Sequence, residues 1–245
     1  MLHSVIIPHC GREEHLWLCV KQLGHAASIL RLRVEVIVVN EGRFLSMPCR
    51  IVEAPKRKTG ELFNKPRLQN LGIKAALGDV LTFLDADAIV ADRFFEAAAF
   101  ATSPRITKVC YRVRRLPEDF PEVIRKDSGA ITKAFDRYDR YDDWAHEGYG
   151  LPEIDAPGGM PIFGNSHFSI TREKLGDLRF NEAYAGAGFE DIWMNREIWR
   201  HYGERYSAAI FTDGDHAVFS IRNQREADWW DTNQNTKNRE LYRRT

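Results

Sequence analysis

The chain has 245 residues, 44% of them hydrophobic and 29% charged, with 35 Lys plus Arg balanced by 35 Asp plus Glu. This size and composition suit one α/β domain with an appended tail. The balanced charge excludes a global field that would draw the chain to nucleic acid or an anionic membrane, so no stable nucleic-acid partner is expected. No apolar run approaches the ~20 residues of a membrane span. Cys10, Cys19, Cys49 and Cys110 form no CxxC or zinc-type cluster, and no signal-peptide pattern precedes the first apolar run. The expectation is a soluble cytoplasmic protein with reduced thiols.

In chain order, Ser4–Pro8 is a short β-branched run stopped by proline, a buried strand by length and flank. His9, Cys10, Gly11 and Arg12 form the loop after it. Leu16, Val20 and Leu23 then recur at helical spacing, and Val34–Val39 makes a second buried strand that ends at Asn40-Glu41-Gly42. Residues 51–54 suit a shorter third strand. Asn64 to Gly78 reads as a helix closed by a C-terminal glycine. Val80–Asp87 then reads as a strand with Asp85 and Asp87 on one side of its end, because strand side chains alternate.

Strands and helices alternating at this spacing predict a mostly parallel central sheet flanked by helices. Right-handed crossovers would bring the loops after Pro8, Val39 and Leu84 to one edge, where Arg12, Glu41, Arg67, Asp85 and Asp87 meet a ligand. Two carboxylates at such an edge are costly unless they share a cation or reach water. Their hard oxygens suit Mn²⁺ or Mg²⁺. Without GxGxxG or a Walker lysine loop, a dinucleotide-dependent dehydrogenase or a P-loop NTPase is disfavoured.

Beyond this edge, Phe94–Phe100 reads as a short helix and Val109–Val113 as a strand. Residues 114–159 mix charges, aromatics and turn residues, a pattern that suits a solvated helix face or an acceptor-binding segment. Pro161–Glu173 begins with a glycine turn at Gly164-Asn165 and continues as a strand leading to a helix start. Gly186-Ala187-Gly188-Phe189 precedes Glu190-Asp191 at the N-terminus of an amphipathic helix, where the helix dipole stabilises carboxylates. That helix ends near Gly203, Ala208–Phe211 is a further strand, and Asp213-Gly214-Asp215-His216 follows. The domain is expected to span 1–222, with a nucleotide-binding half over 1–90 and an acceptor and metal half over 91–222. Residues 223–245, with Trp229 and Trp230, form a polar tail or helix.

The segments Ser4–Pro8, Val36–Gly42, Asn70–Asp79 and Phe83–Asp87 resemble, in order and spacing, successive motifs of GT-A glycosyltransferases of the family 2 type. The Gly186–Asp191 segment is similar to the acceptor motif of families 7 and 27. The resemblance implies a nucleotide-diphospho-sugar transferase fold and a hexosyltransferase that uses a nucleotide sugar, expected to be UDP-linked. The implied acceptor is a glycan or another hydroxyl compound. Pro8, His9, Gly11, Arg12 and Glu41 would hold base and ribose, and Arg67 would neutralise the leaving diphosphate. Asp85-Ala86-Asp87 would bind the metal-bridged diphosphate, and Gly164 and Asn165 would line the sugar.

His216 would complete the metal sphere with Asp87 and with Asp85, the latter bound directly or through water and ribose. Asp191 is favoured as the base that takes the acceptor proton, with Glu190 positioning the acceptor. The reverse assignment and a retaining reaction stay open. His9-Cys10-Gly11 and Asn40 depart from the family pattern at the base pocket, so the nucleotide is not fixed. A non-catalytic nucleotide-sugar-binding protein and a nucleotidyltransferase are the alternatives. The second would need a glycine- and lysine-rich loop that residues 9–12 do not supply.

Overall fold

The computed structural model describes residues 1–42, 45–111, 113–116, 122, 166–186, 188–211, 218–221 and 233–244. Its seven-stranded sheet is built around β1 (Leu2–His9), the strand that pairs in parallel with β2 (Arg33–Asn40) on one side and β4 (Val80–Phe83) on the other. β3 (Arg50–Glu53) extends the β2 edge in parallel. Beyond β4 come β8 (Phe168–Thr171), β6 (Lys108–Tyr111) and β9 (Ala208–Phe211). β8 runs antiparallel to both of its neighbours, and β6 pairs with β9 in parallel. The sheet is mostly parallel, with β8 the inverted strand.

The β1 sequence explains its central place. Val5 and Ile7 face one apolar cluster while Ile6 faces the other, and all three are fully buried. A strand covered on both faces needs such an uninterrupted apolar run. On the first face lie α1 (Glu13–Ile29), which contributes Leu16, Cys19, Val20 and Leu23, and α3 (Phe94–Ala99), which contributes Phe94 and Phe95. On the second lie α2 (Lys65–Ala75), through Leu68 and Ile73, and α5 (Glu190–Tyr202), through Met194 and Ile198. The short helix α4 (Arg172–Leu175) follows β8 and buries Leu175 in that second cluster. A second sheet of β5 (Ala88–Val90), β10 (Val218–Ile221) and β7 (Val113–Leu116) has β10 at its centre. The C-terminal helix α6 (Asn233–Arg244) places Tyr242 in a small cluster with Tyr184, Phe189 and Ile192. Among the described residues no helix is long and apolar enough to cross a membrane.

Two local expectations are corrected. The strand expected to run to Asp87 stops at Phe83, and the Ala88 N–H donates to the Asp85 carbonyl to close a turn. Asp85 and Asp87 therefore sit in a turn between β4 and β5 and do not alternate along a strand. The helix expected to close on Gly78 ends at Ala75, with Ala76 already extended. Gly78 serves close packing: a Cβ there would lie 2.5 Å from Ser4 Oγ and 2.7 Å from Leu2 O.

Candidate active site

The C-terminal ends of β1, β2 and β4 open on one edge of the sheet, where ligands bind in open α/β folds. After β1 the chain turns through Gly11 (φ 79°) and Arg12 (φ 60°), both left-handed, before entering α1. For arginine this conformation is uncommon and costs about 1–2 kcal/mol. It turns the Arg12 guanidinium toward Asp87, 3.5 Å away.

The buried end of β2 forms a polar cluster. His9 Nδ1–H donates to Asn40 Oδ1 (3.0 Å), which also accepts from the Gly42 N–H, while Asn40 Nδ2 donates to Glu53 Oε2 (3.2 Å). Glu41 is enclosed by two guanidinium groups. Arg57 Nε lies 2.8 Å from Glu41 Oε2, and Arg67 is ion-paired to Glu41 Oε1 while also donating to the Pro55 carbonyl. Arg57 further donates to Cys10 Sγ at 3.0 Å. The pairs give Glu41 charge-assisted partners that offset burial.

At the centre of the edge, Lys65 Nζ lies 2.6 Å from Asp85 Oδ1 and 3.3 Å from Glu190 Oε1. The other Asp85 oxygen accepts from Ser166 Oγ (3.0 Å) and faces His167 Nε2 at 3.5 Å. The antiparallel register of β4 and β8 produces this meeting: Phe83 opposes Phe168, so the residues just beyond them on the two strands converge. Burial alone would raise the Asp85 pKa, but Lys65, His167 and the Ser166 hydroxyl hold it well below the usual carboxylate range. For Lys65, burial opposes the charge and the surrounding carboxylates overcome it, so the ammonium is held protonated. Burial lowers the His167 pKa to about 4, Asp85 only partly opposing it.

Glu190 and Asp191 occupy the first turn of α5. Gly186 (φ 75°), Gly188 (φ 84°) and Phe189 (φ 72°) shape the approach to it. Phe189 holds its left-handed conformation against Tyr242 of α6, at 5.8 Å between ring centroids. From the same helix, Asn238 Nδ2 donates to the carbonyls of Ala185 (3.0 Å) and Gly188 (3.1 Å). Burial pushes the Glu190 carboxyl up to about 7, Lys65 pulling the other way and Asp191 adding to the rise. Burial likewise raises the Asp191 pKa above the ordinary carboxylate value. This edge thus holds one carboxylate kept ionised and two whose proton affinity is raised, the separation that acid–base chemistry near neutral pH requires.

Of the residues singled out from sequence, the structure brings Asp85, Asp87, Arg12, Glu190 and Asp191 to this edge, with Pro8, His9 and Gly11 at the end of β1 and Ala86 in the turn. Arg67 sits beside Glu41. Gly164, Asn165 and His216 lie outside the described residues, as do residues 123–159, Trp229 and Trp230. Among the described residues no three His, Cys, Asp or Glu side chains come together as a metal cluster. The hard oxygens of Asp85 and Asp87 still match the donor chemistry of Mg²⁺ or Mn²⁺. Lys65, Ser166, Arg57 and Glu53 are not singled out by the sequence. Their roles rest on long-range pairing and leave no local pattern, although Lys65 does open α2 directly after its Asn64 cap.

The Drosophila beta1,4-galactosyltransferase 7 catalytic domain superposes over 97% of this chain and 79% of its own, with a TM-score of 0.58 and 13% identity. The chain has the GT-A glycosyltransferase fold. A mutant of that galactosyltransferase was solved with manganese, UDP-Gal and xylobiose. Two further GT-A matches carry UDP-sugars. Glucosyl-3-phosphoglycerate synthase from Mycobacterium tuberculosis was solved with Mn²⁺, UDP-glucose and phosphoglyceric acid, and matches over 93% of this chain and 74% of its own (TM-score 0.54, 17% identity). S. aureus TarS, in complex with UDP-GlcNAc, matches over 91% and 59% (TM-score 0.55, 13% identity). Neither the protein-family models nor the curated proteins compared with the sequence match it.

Proposed function

We propose that the chain is a metal-dependent glycosyltransferase that moves a hexose from a UDP-sugar to an acceptor hydroxyl with inversion. The observation that carries this reading is the Asp85–Lys65–Glu190 relay. It joins the acidic turn after β4 to the carboxylate pair of α5 across a GT-A sheet edge. The Mn²⁺- and UDP-sugar-bound neighbours support the donor class and the metal.

Asp85 and Asp87, with His216 as the third ligand, would hold the divalent cation. When bound, that cation neutralises charge developing on the leaving diphosphate. Asp191, its proton affinity raised by burial, takes the acceptor proton, and Glu190 beside it positions the acceptor. The glycines at 186 and 188 leave the acceptor room in front of the pair. Gly164 and Asn165 line the donor sugar, and the loop of Pro8, His9, Gly11 and Arg12 contacts the nucleotide. Glu41, its carboxylate enclosed by Arg57 and Arg67, would reach the ribose by exchanging one of those ion pairs. Helix α6 of the C-terminal segment 223–245 braces the acceptor side of the 1–222 catalytic domain through Asn238 and Tyr242.

The test is release of UDP from UDP-glucose, UDP-galactose and UDP-GlcNAc with Mn²⁺ and with EDTA. Metal-dependent turnover of one donor, reduced by about 10²-fold or more in Asp191→Asn with donor affinity kept, supports the reading. Turnover that persists unchanged in Asp191→Asn places the base elsewhere, and absence of turnover with every donor contradicts transfer.

A further inference from the structure

The metal-facing carboxylate of the proposed site already carries a cation supplied by the chain itself. Lys65 Nζ is 2.6 Å from Asp85 Oδ1, and its side chain is only 13% exposed. The other Asp85 oxygen is engaged by Ser166 and faced by His167, so Oδ1 is the oxygen on which an incoming cation meets Lys65. Asp87 is held differently: Arg12 lies 3.5 Å away on a side chain 44% exposed, free to withdraw into water. Lys65 cannot withdraw so easily. It is the first residue of α2, whose start is fixed by Asn64 accepting from the Arg67 N–H (2.9 Å) and donating to the Glu182 carbonyl (2.8 Å). Its second partner is Glu190, at 3.3 Å.

Resting on the reading of Asp85 and Asp87 as metal ligands, we propose that Lys65 is an internal competitor for the divalent-cation site. Its ammonium occupies Asp85 in the unloaded protein and is left on Glu190 when Asp85 turns to a metal ion. Two consequences follow from charge alone. Like charges brought within a few ångströms repel, so Lys65 weakens the affinity of Asp85 for a bare cation. Once displaced, Lys65 keeps its ion pair with Glu190, a partner on the acceptor side. Metal loading on the donor side and side-chain placement on the acceptor side are thereby coupled through a single residue.

The experiment titrates Mn²⁺ into the full chain, following free Mn²⁺ by electron paramagnetic resonance, with and without UDP. Lys65→Met should bind Mn²⁺ about tenfold or more tightly than wild type. Lys65→Arg, which keeps the charge, should stay within about threefold of wild type. Lys65→Gln serves as the uncharged variant if Lys65→Met fails to give a cooperative melt. Tighter Mn²⁺ binding in an uncharged variant supports the proposal, including the case in which wild type binds Mn²⁺ too weakly to detect. Wild-type Mn²⁺ binding that is unchanged or weakened by losing the charge overturns the Lys65 competition and leaves the transferase reading standing. No Mn²⁺ binding in wild type or any variant overturns both.

Discussion

Asn70 and Phe180 exchange two hydrogen bonds: the Asn70 amide donates to the Phe180 carbonyl at 2.9 Å, and the Phe180 N–H donates to Asn70 Oδ1 at 2.9 Å. The side chain stands in for a strand partner. It ties α2, which carries Lys65, to the segment that leads into α5, which carries Glu190. Asn70 Nδ2 also reaches Glu182 Oε1 at 2.8 Å.

Asn70→Ala is therefore expected to cost about 1–3 kcal/mol, since it leaves a backbone donor and a backbone acceptor without their partner. The measurement is the midpoint of urea unfolding at unchanged m-value. A midpoint equal to wild type would show that water replaces the clamp.

Gly78→Ala is expected to destabilise by about 1–3 kcal/mol, because the added methyl meets both the side chain and the backbone of β1. Its contacts include Ser4 N at 2.7 Å, an atom that does not yield as a flexible side chain would. Thermal melting of the variant reports the loss. An unaffected midpoint would mean that the Ala76–Asp79 connection shifts without cost.

The pH dependence of stability carries the signature of Glu190. In the metal-free fold its carboxyl is pushed up to about 7 from an ordinary 4.5. Between those values the native state holds a proton that the unfolded chain has released, so this group's contribution to stability falls as pH rises through the window. Unfolding in EDTA at pH 4.5 to 7 should show that decline in wild type, and Glu190→Gln should show a shallower one, the share left to Asp191. Identical slopes would mean that Glu190 titrates normally.

Asn238→Ala is expected to loosen the approach to α5, because one amide serves the carbonyls of both Ala185 and Gly188. Once an acceptor is identified, its KM should rise more than that of the donor, since the affected loop borders Glu190. A proportionate rise in both would show a general loss of the fold.

The strands were the most legible part of the chain. β1 and β2 each carry a short uninterrupted β-branched run, Val5-Ile6-Ile7 and Val36-Ile37-Val38-Val39, and the full burial of Val5, Ile6, Ile7, Ile37, Val38 and Val39 follows from it. The limits lie where non-local pairing overrides local pattern. Val80–Asp87 looks like one strand because Leu84 is apolar and Ala86 is compatible with a strand, yet the turn closed at Ala88 sends Asp85 to Lys65 and Asp87 to Arg12. Gly78 resembles a helix cap in sequence, but what requires it is the nearness of Ser4, distant along the chain. The family resemblance implies a ribose role for Glu41, while nothing in its sequence neighbourhood announces Arg57 or Arg67 as its partners. Lys65 opens a helix like many surface lysines, and only the fold brings Asp85 and Glu190 to it.

In the proposed function this sheet edge binds a uridine diphosphate sugar through a divalent cation held by Asp85 and Asp87. Calorimetric titration of UDP, GDP and CMP, each with Mn²⁺ and with EDTA, tests it most directly. UDP binding is expected to require Mn²⁺ and to be lost in Asp87→Ala. UDP binding that is indifferent to Mn²⁺ and to Asp87→Ala would contradict it.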